Sequence, residues 1–226
     1  ASDVYKRQAR EWWPKMFVLK IMQQYYSATK DQRVIPFMTN YFKYQLEELP
    51  KNPLGKWTFW AEQRGGDNLM MVYWLYNITG DKFLLELGEL LNSQNVNWTD
   101  VFTKDNHLYR QHSLHCVNLA QGFKQPTVYY QQSKDKENLE AAEKAMKTIR
   151  NTIGTPIGLW AGDELIRFGD PIYGSELCTA VEMMYSLETM LEITGNMQWA
   201  DQLERIAYNA PVSYTHLRAH ETCADL

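Results

Sequence analysis

Apolar residues recur at intervals of three and four over most of the chain, which is the spacing of amphipathic helices. Segments with this spacing lie at 16–25, 37–46, 69–78, 83–91, 139–153, 181–193 and 199–207. Linkers rich in Gly, Pro and Asn separate them at 50–55, 64–67, 92–97 and 154–174. Convincing period-two alternation, the mark of a half-buried strand, is missing from the sequence. The pattern therefore predicts an all-α fold.

A short polar motif recurs where four of these helices should end, at about 50 to 61 residue intervals. Its copies are Thr29–Asp31, Thr79–Asp81, Ser133–Asp135 and Thr194–Asn196. Gly80 and Gly195 predict left-handed helix ends, and the following Asp or Asn predicts the cap of the next helix. Repeated antiparallel helix hairpins build either an α-solenoid or an α/α toroid. Long loops between the pairs favour a partial (α/α) toroid.

Composition narrows the class of protein. The chain has 226 residues, 45% of them apolar, and a net charge of −4, which suits a globular domain with a real core. With no basic stripe, nucleic-acid binding is not expected, and with no apolar run of about 18 residues, no membrane span is expected. Three cysteines in a chain of this length do not make a disulfide framework.

Both ends of the chain resemble the translation of sequencing-adapter DNA rather than natural protein sequence. Residues 212–222, VSYTHLRAHET, match a translated transposase sequencing adapter, and residues 1–8, ASDVYKRQ, match the translation of its partner. We therefore expect one incomplete α/α domain over 9–211, with artefactual segments at 1–8 and 212–226. On this interpretation Cys223 carries no function, and the ends reveal nothing about localisation.

Two adjacent acids, Asp163 and Glu164, stand in a long loop at 155–174, and a loop of this length is usually functional. Trp160 and Ile166 beside them predict an apolar setting that disfavours an ionised carboxyl, as a general acid requires. The alternative is that one acid caps a short helix.

Two further groups of residues could bind a metal ion. Glu176 and Cys178, at the start of a predicted helix, carry zinc-type donors, but two donors do not close a site, and Cys178 could instead pack in the core. His112, His115 and Cys116 form a looser pattern, for which we favour a substrate contact by His115 and packing of Cys116 in the core.

Residues 57–68 mix aromatic planes with planar polar groups, including Trp60 and Asp67. This is the composition of a sugar-binding site, with stacking faces and directional hydrogen bonds. It is equally the composition of a well-packed loop. Trp60 and Asp67 are therefore candidate substrate-binding residues.

The string G-x-x-x-G-D-E at 158–164, followed by GSELCTAVEMMYSLETMLEITG from Gly174, resembles the catalytic domain of glycoside hydrolase family 127, the β-L-arabinofuranosidase-like group. RGGDNLMMVYWLYNITGD and HCVNLAQGFKQP support the resemblance, which covers nearly all of 9–210. It implies a bacterial-type, zinc-dependent enzyme that cleaves terminal arabinofuranosyl or related sugars from plant-type glycans with retention.

The resemblance also implies roles for individual residues. Glu164 matches the general acid/base, Glu176 and Cys178 match zinc ligands, and His115 matches a histidine that faces the sugar. The family's nucleophile is a further cysteine, from a zinc-binding pair expected past residue 210, so we expect the printed chain to be inactive. Periplasmic, extracellular and cytoplasmic locations all stay open.

Two alternatives remain. A member of the same family could act on a different sugar, because the pocket residues are incompletely covered. A helical-repeat binding module would perform no chemistry, bind no metal and tolerate changes at Glu164 and Cys178.

Overall fold

A computed structural model describes residues 10–104, 108, 114–167 and 171–211, and within these ranges no β-strand forms. The helices are α1 Trp13–Thr29, α2 Val34–Glu48, α3 Trp60–Gln63, α4 Gly66–Thr79, α5 Phe83–Gln94, α6 Trp98–Thr103, α7 Cys116–Gly122, α8 Gln125–Ser133, α9 Lys136–Thr152, α10 Leu177–Thr194 and α11 Met197–Asn209. Short 3₁₀ turns occupy Leu54–Lys56 and Pro171–Tyr173. The predicted all-α fold is confirmed.

The chain divides into two compact units. The first contains α1 to α5 with the end of α8, and within it α4 packs on α5 while α1 contacts α2 and α4. The side-chain amides of Gln45 and Asn68 are fully buried and exchange two hydrogen bonds of 3.0 Å. Because each amide satisfies the other, this pair joins α2 to α4 without leaving an orphaned polar group between them.

The second unit contains α6, α7, most of α8, and α9 to α11. Here α7 packs on α10, α10 packs on α11, and α6 packs on α9. The buried Phe123 ring lies 5.5 Å from the Phe102 ring and 6.3 Å from the Trp199 ring, measured between centroids. The Ser186 hydroxyl donates to the Ala120 carbonyl at 2.6 Å, so a buried polar contact ties α10 to α7 as well.

The four repeated helix ends share one turn. Gly80 and Gly195 adopt φ of 72° and 66°, as predicted, and Lys30 and Lys134 occupy the same left-handed region at 57°. A residue in the left-handed region terminates a helix abruptly, and glycine adopts this region without strain. The repeat is therefore structural at all four positions, including the two that lack glycine.

At two of the four turns, the residue after the left-handed position caps the next helix. The side chain of Asp135 accepts the Glu137 N–H at 3.0 Å, and that of Asn196 accepts the Gln198 N–H at 3.1 Å. Both bonds satisfy a backbone donor that a helix start leaves without an intrahelical partner. The predicted cap of α11 by Asn196 is confirmed, and Asp135 caps α9 in the same way. The cap predicted at Asp81 is wrong, because α5 begins after Lys82 and has no side-chain cap.

Helices α7 and α8 were not predicted by the apolar spacing. Their buried faces include amides, at Asn118, Gln121 and Gln125, which a hydrophobic pattern counts as exposed. The predicted linker at 92–97 also begins too early, because α5 continues to Gln94. In the described part of the chain, no helix combines the length and apolar character that crossing a membrane requires.

We expect Gly195→Ala to lower the free energy of unfolding by about 1 kcal/mol, because an L side chain disfavours the left-handed region. A Cβ at Gly195 would meet no atom within 4 Å, so the change isolates the backbone cost. Lys134→Ala is the matched control, since that turn already holds a side chain, and it should change stability less. Equal denaturation midpoints for Gly195→Ala and the unaltered chain would contradict the turn assignment.

Candidate functional site

Asp163 and Glu164 lie at the exposed tip of a tight turn, residues 161–167, which we call the acid turn. The Arg167 N–H donates to the Ala161 carbonyl at 2.9 Å and closes the base of the turn. The Asp163 carboxylate accepts the Glu164 N–H at 2.9 Å. No helix begins within residues 160–167, so the helix-capping interpretation of these acids is wrong.

One edge of the acid turn is joined to the start of α7. The Cys116 N–H donates to the Glu164 carbonyl at 2.8 Å, and the Ile166 N–H donates to the Leu114 carbonyl at 3.2 Å. His115 and Leu165 form an antiparallel bridge between the two segments. The backbone thus fixes Glu164 beside the first residues of α7.

The other edge is joined to the segment before α10. The Gly162 N–H donates to the Gly174 carbonyl at 3.0 Å, and the Glu176 N–H donates to the Gly162 carbonyl at 3.2 Å. Gly162 has φ of 153°, and a Cβ there would clash with the Leu165 carbonyl oxygen and the Cys116 sulfur. Only glycine fits against Leu165 and Cys116, and from this position its backbone also bonds to Gly174 and Glu176.

His115 and Glu164 form the central side-chain contact of the site. Nε2 of His115 lies 2.8 Å from Oε2 of Glu164, and Nδ1 of His115 accepts the Val117 N–H at 3.1 Å. Because Nδ1 accepts a backbone proton, it carries none itself, and a neutral ring then has its proton on Nε2. His115 therefore donates to Glu164 with a ring orientation set by the start of α7.

The apolar setting expected around the acids is not found. The side chain of Glu164 is 75% exposed, and Asp163 is exposed as well, while Trp160 is buried. Hydrogen bonds from the backbone N–H groups of Glu164 and Asp163, together with the nearby Arg167 charge, hold the pKa of Asp163 below its ordinary value. The expectation is therefore wrong for Asp163, which stays ionised near neutral pH.

Glu176 and Cys178 lie together at the start of α10. The Cys178 thiol donates to Oε1 of Glu176 at 2.8 Å, and this hydrogen bond, with burial second, raises the pKa of the thiol. Oε2 of Glu176 is buried and has no hydrogen-bond partner among the described residues. A buried carboxylate oxygen without a donor, beside a thiol, has the chemistry of a zinc ligand pair.

These two donors do not by themselves complete a metal site. Within the described ranges, no group of three or more His, Cys, Asp or Glu side chains is placed to hold a metal ion. Cys116 is fully buried against Gly162, and burial raises the pKa of its thiol to about 12, in keeping with the expected packing role. His112, part of the looser metal pattern, lies outside the described residues.

Trp60 and Asp67 belong to the first unit, whereas Glu164, His115, Glu176 and Cys178 belong to the second. The Arg64 guanidinium lies 4.4 Å from the centroid of the Trp60 ring. The buried Asp67 carboxylate accepts a hydrogen bond from Lys20 at 2.8 Å. Both residues have structural partners, and their role in sugar binding stays a prediction.

We expect the two described cysteines to differ in alkylation by iodoacetamide. At pH 8, Cys178 should react more slowly than a free thiol because its raised pKa leaves less thiolate, and Cys116 should stay unmodified in the folded chain. Glu176→Gln removes the carboxylate that accepts the Cys178 proton, so it should lower that pKa and speed the reaction.

Peptide mass mapping after timed quenching would follow each thiol separately. Glu182→Gln, on the same helix, is the matched control and should leave the rate unchanged. An unchanged or slower rate in Glu176→Gln would contradict the contact between Glu176 and Cys178.

Comparison with protein families gives a match over nearly the whole chain. Residues 4–223 match the family model described as beta-L-arabinofuranosidase, GH127 catalytic domain. No curated protein and no solved structure matches the chain. The match covers well over half of the sequence, including the acid turn and the Glu176–Cys178 pair.

Proposed function

Because the chain belongs to the family of GH127 β-L-arabinofuranosidase catalytic domains, we propose that it is part of a retaining enzyme that removes terminal arabinofuranosyl sugars from plant-type glycans. The family makes the protein a glycoside hydrolase of the arabinofuranosidase-like type. The observation that carries the finer proposal is the contact of His115 with Glu164 on a turn hydrogen-bonded to Glu176.

Glu164 is proposed as the general acid and base. As the acid it protonates the oxygen of the departing sugar, and as the carboxylate it takes a proton from the attacking water. Its 75% exposed side chain leaves room for a glycosidic oxygen to approach. His115 holds one carboxylate oxygen, Oε2, and is proposed to contact the sugar as well, so the carboxyl keeps a fixed orientation through both steps.

Glu176 and Cys178 are proposed as zinc ligands. A bound zinc ion would keep coordinating thiols deprotonated near neutral pH. The orphaned Oε2 of Glu176 is available as a donor atom, and Cys178 would release the proton that it now shares with Oε1.

The described cysteines do not supply the nucleophile that this mechanism requires. Cys116 is buried with a pKa raised to about 12, and Cys178 is engaged as a proposed ligand. Cys223 falls within the segment interpreted as adapter and lies outside the described residues. We therefore propose that the nucleophilic cysteine belongs to a longer parent protein, that the printed chain is inactive, and that the parent completes an α/α toroid.

The role of Glu164 is tested by Glu164→Gln in the protein encoded by the full parent gene. Hydrolysis of methyl β-L-arabinofuranoside should fall by about 10²- to 10⁴-fold, because methanol leaves only with a proton. For the nitrophenyl glycoside, the rate of the first step, in which the leaving group departs, should fall less, because nitrophenolate leaves without protonation.

Steady-state and burst kinetics on both substrates measure this difference. Glu188→Gln, an exposed acid on α10, is the matched control and should keep full activity. Equal losses on the two substrates in Glu164→Gln would assign the acid to another residue. An unaltered parent that binds glycans but hydrolyses neither substrate would favour the binding-module alternative.

A further inference from the structure

We propose that Arg167 and Tyr173 form a binding platform for the leaving-group sugar, the ring on the far side of the cleaved bond. The proposal rests on the proposed function of Glu164 and adds a second sugar contact to it. The platform consists of the exposed ring of Tyr173, the guanidinium of Arg167 and the neighbouring side chain of Ile172.

The backbone places both residues at the acid turn. Arg167 closes the base of the turn through its N–H bond to Ala161. Tyr173 precedes Gly174, whose carbonyl accepts the Gly162 N–H at 3.0 Å. Gly162 lies two residues before Glu164, so the Tyr173 backbone adjoins the segment that carries the proposed acid.

The two side chains interact with each other and stay open to solvent. The Arg167 guanidinium carbon lies 5.0 Å from the centroid of the Tyr173 ring, a cation–π distance that orders the ring. Tyr173 is nevertheless 42% exposed, and Ile172 is 79% exposed. The two neighbouring apolar side chains therefore stay available to a ligand, on a segment hydrogen-bonded to the acid turn.

The chemistry of this surface suits a neutral sugar ring. An aromatic face packs against the C–H face of a sugar, while guanidinium N–H groups donate to hydroxyl oxygens. The Arg167 charge also contributes to the lowered pKa of Asp163, so the guanidinium lies near the acid turn. A mixed aromatic and polar surface of this kind fixes both the position and the orientation of a ligand.

The position indicates which sugar binds there. A general acid protonates the bridging oxygen, and that oxygen leaves with the sugar on the far side of the bond. The leaving sugar must therefore lie beside the Glu164 carboxyl. His115 approaches Glu164 from the start of α7, whereas Arg167 lies at the base of the acid turn and Tyr173 in the segment before α10, so the two groups can contact different rings.

The test uses the full parent protein with two substrates that differ only in the leaving group. One is methyl β-L-arabinofuranoside, which has no second ring, and the other is a β-L-arabinofuranosyl disaccharide. Tyr173→Ala should raise KM for the disaccharide about 3- to 10-fold, the usual scale of one lost aromatic contact. For the methyl glycoside, kcat and KM of the Tyr173→Ala variant should stay within about twofold of those of the unaltered enzyme.

Two further variants make the result specific. Tyr173→Phe keeps the ring and should restore the KM for the disaccharide. Tyr208→Ala removes an exposed tyrosine of α11 and should change neither substrate. Unchanged disaccharide kinetics in Tyr173→Ala, or equal losses on both substrates, would overturn the platform while the proposed function stands. An unaltered enzyme that cleaves neither substrate would overturn both.

Discussion

The close approach at Gly162 is the constraint on which the site depends. Its N–H and carbonyl bond to Gly174 and Glu176, while two residues later Glu164 is held by the Cys116 N–H. The left-handed φ of 153° and the lack of room for a Cβ mean that only glycine makes both connections. One residue thus brings together Glu164, the proposed acid and base, and Glu176 and Cys178, the proposed zinc ligands.

Packed helices support this junction. The start of α7 supplies His115 and the start of α10 supplies Glu176, while the Ser186–Ala120 hydrogen bond and apolar packing hold the two helices together farther along. Because helix packing fixes the first residues of both α7 and α10, the acid turn between them needs few contacts of its own. The Glu164 side chain therefore stays exposed to solvent while His115 and the Cys116 N–H hold its orientation.

The sequence predicts those features that depend on residues a few positions apart in the chain, and it does not predict contacts between distant residues. Long helices and the turns at Gly80 and Gly195 follow from apolar spacing and capping residues a few positions apart. The Glu176–Cys178 contact also follows from short spacing. The His115–Glu164 contact joins residues 49 positions apart, so spacing alone does not reveal it. The enclosed setting expected for the acids was wrong because Trp160 turns into the core, and a sequence does not show which way a loop side chain points.

The account is tested most directly by measuring hydrolysis of methyl β-L-arabinofuranoside by Gly162→Ala in the full parent protein, with circular dichroism to confirm that it folds. A methyl group at this position would clash with the Leu165 carbonyl and the Cys116 sulfur, so it must shift the acid turn against the start of α7. A displacement near 1 Å is enough to cost about 10²-fold in rate. We expect a folded protein with at least that loss. A folded Gly162→Ala variant with an undiminished rate would show that the junction does not hold the site together.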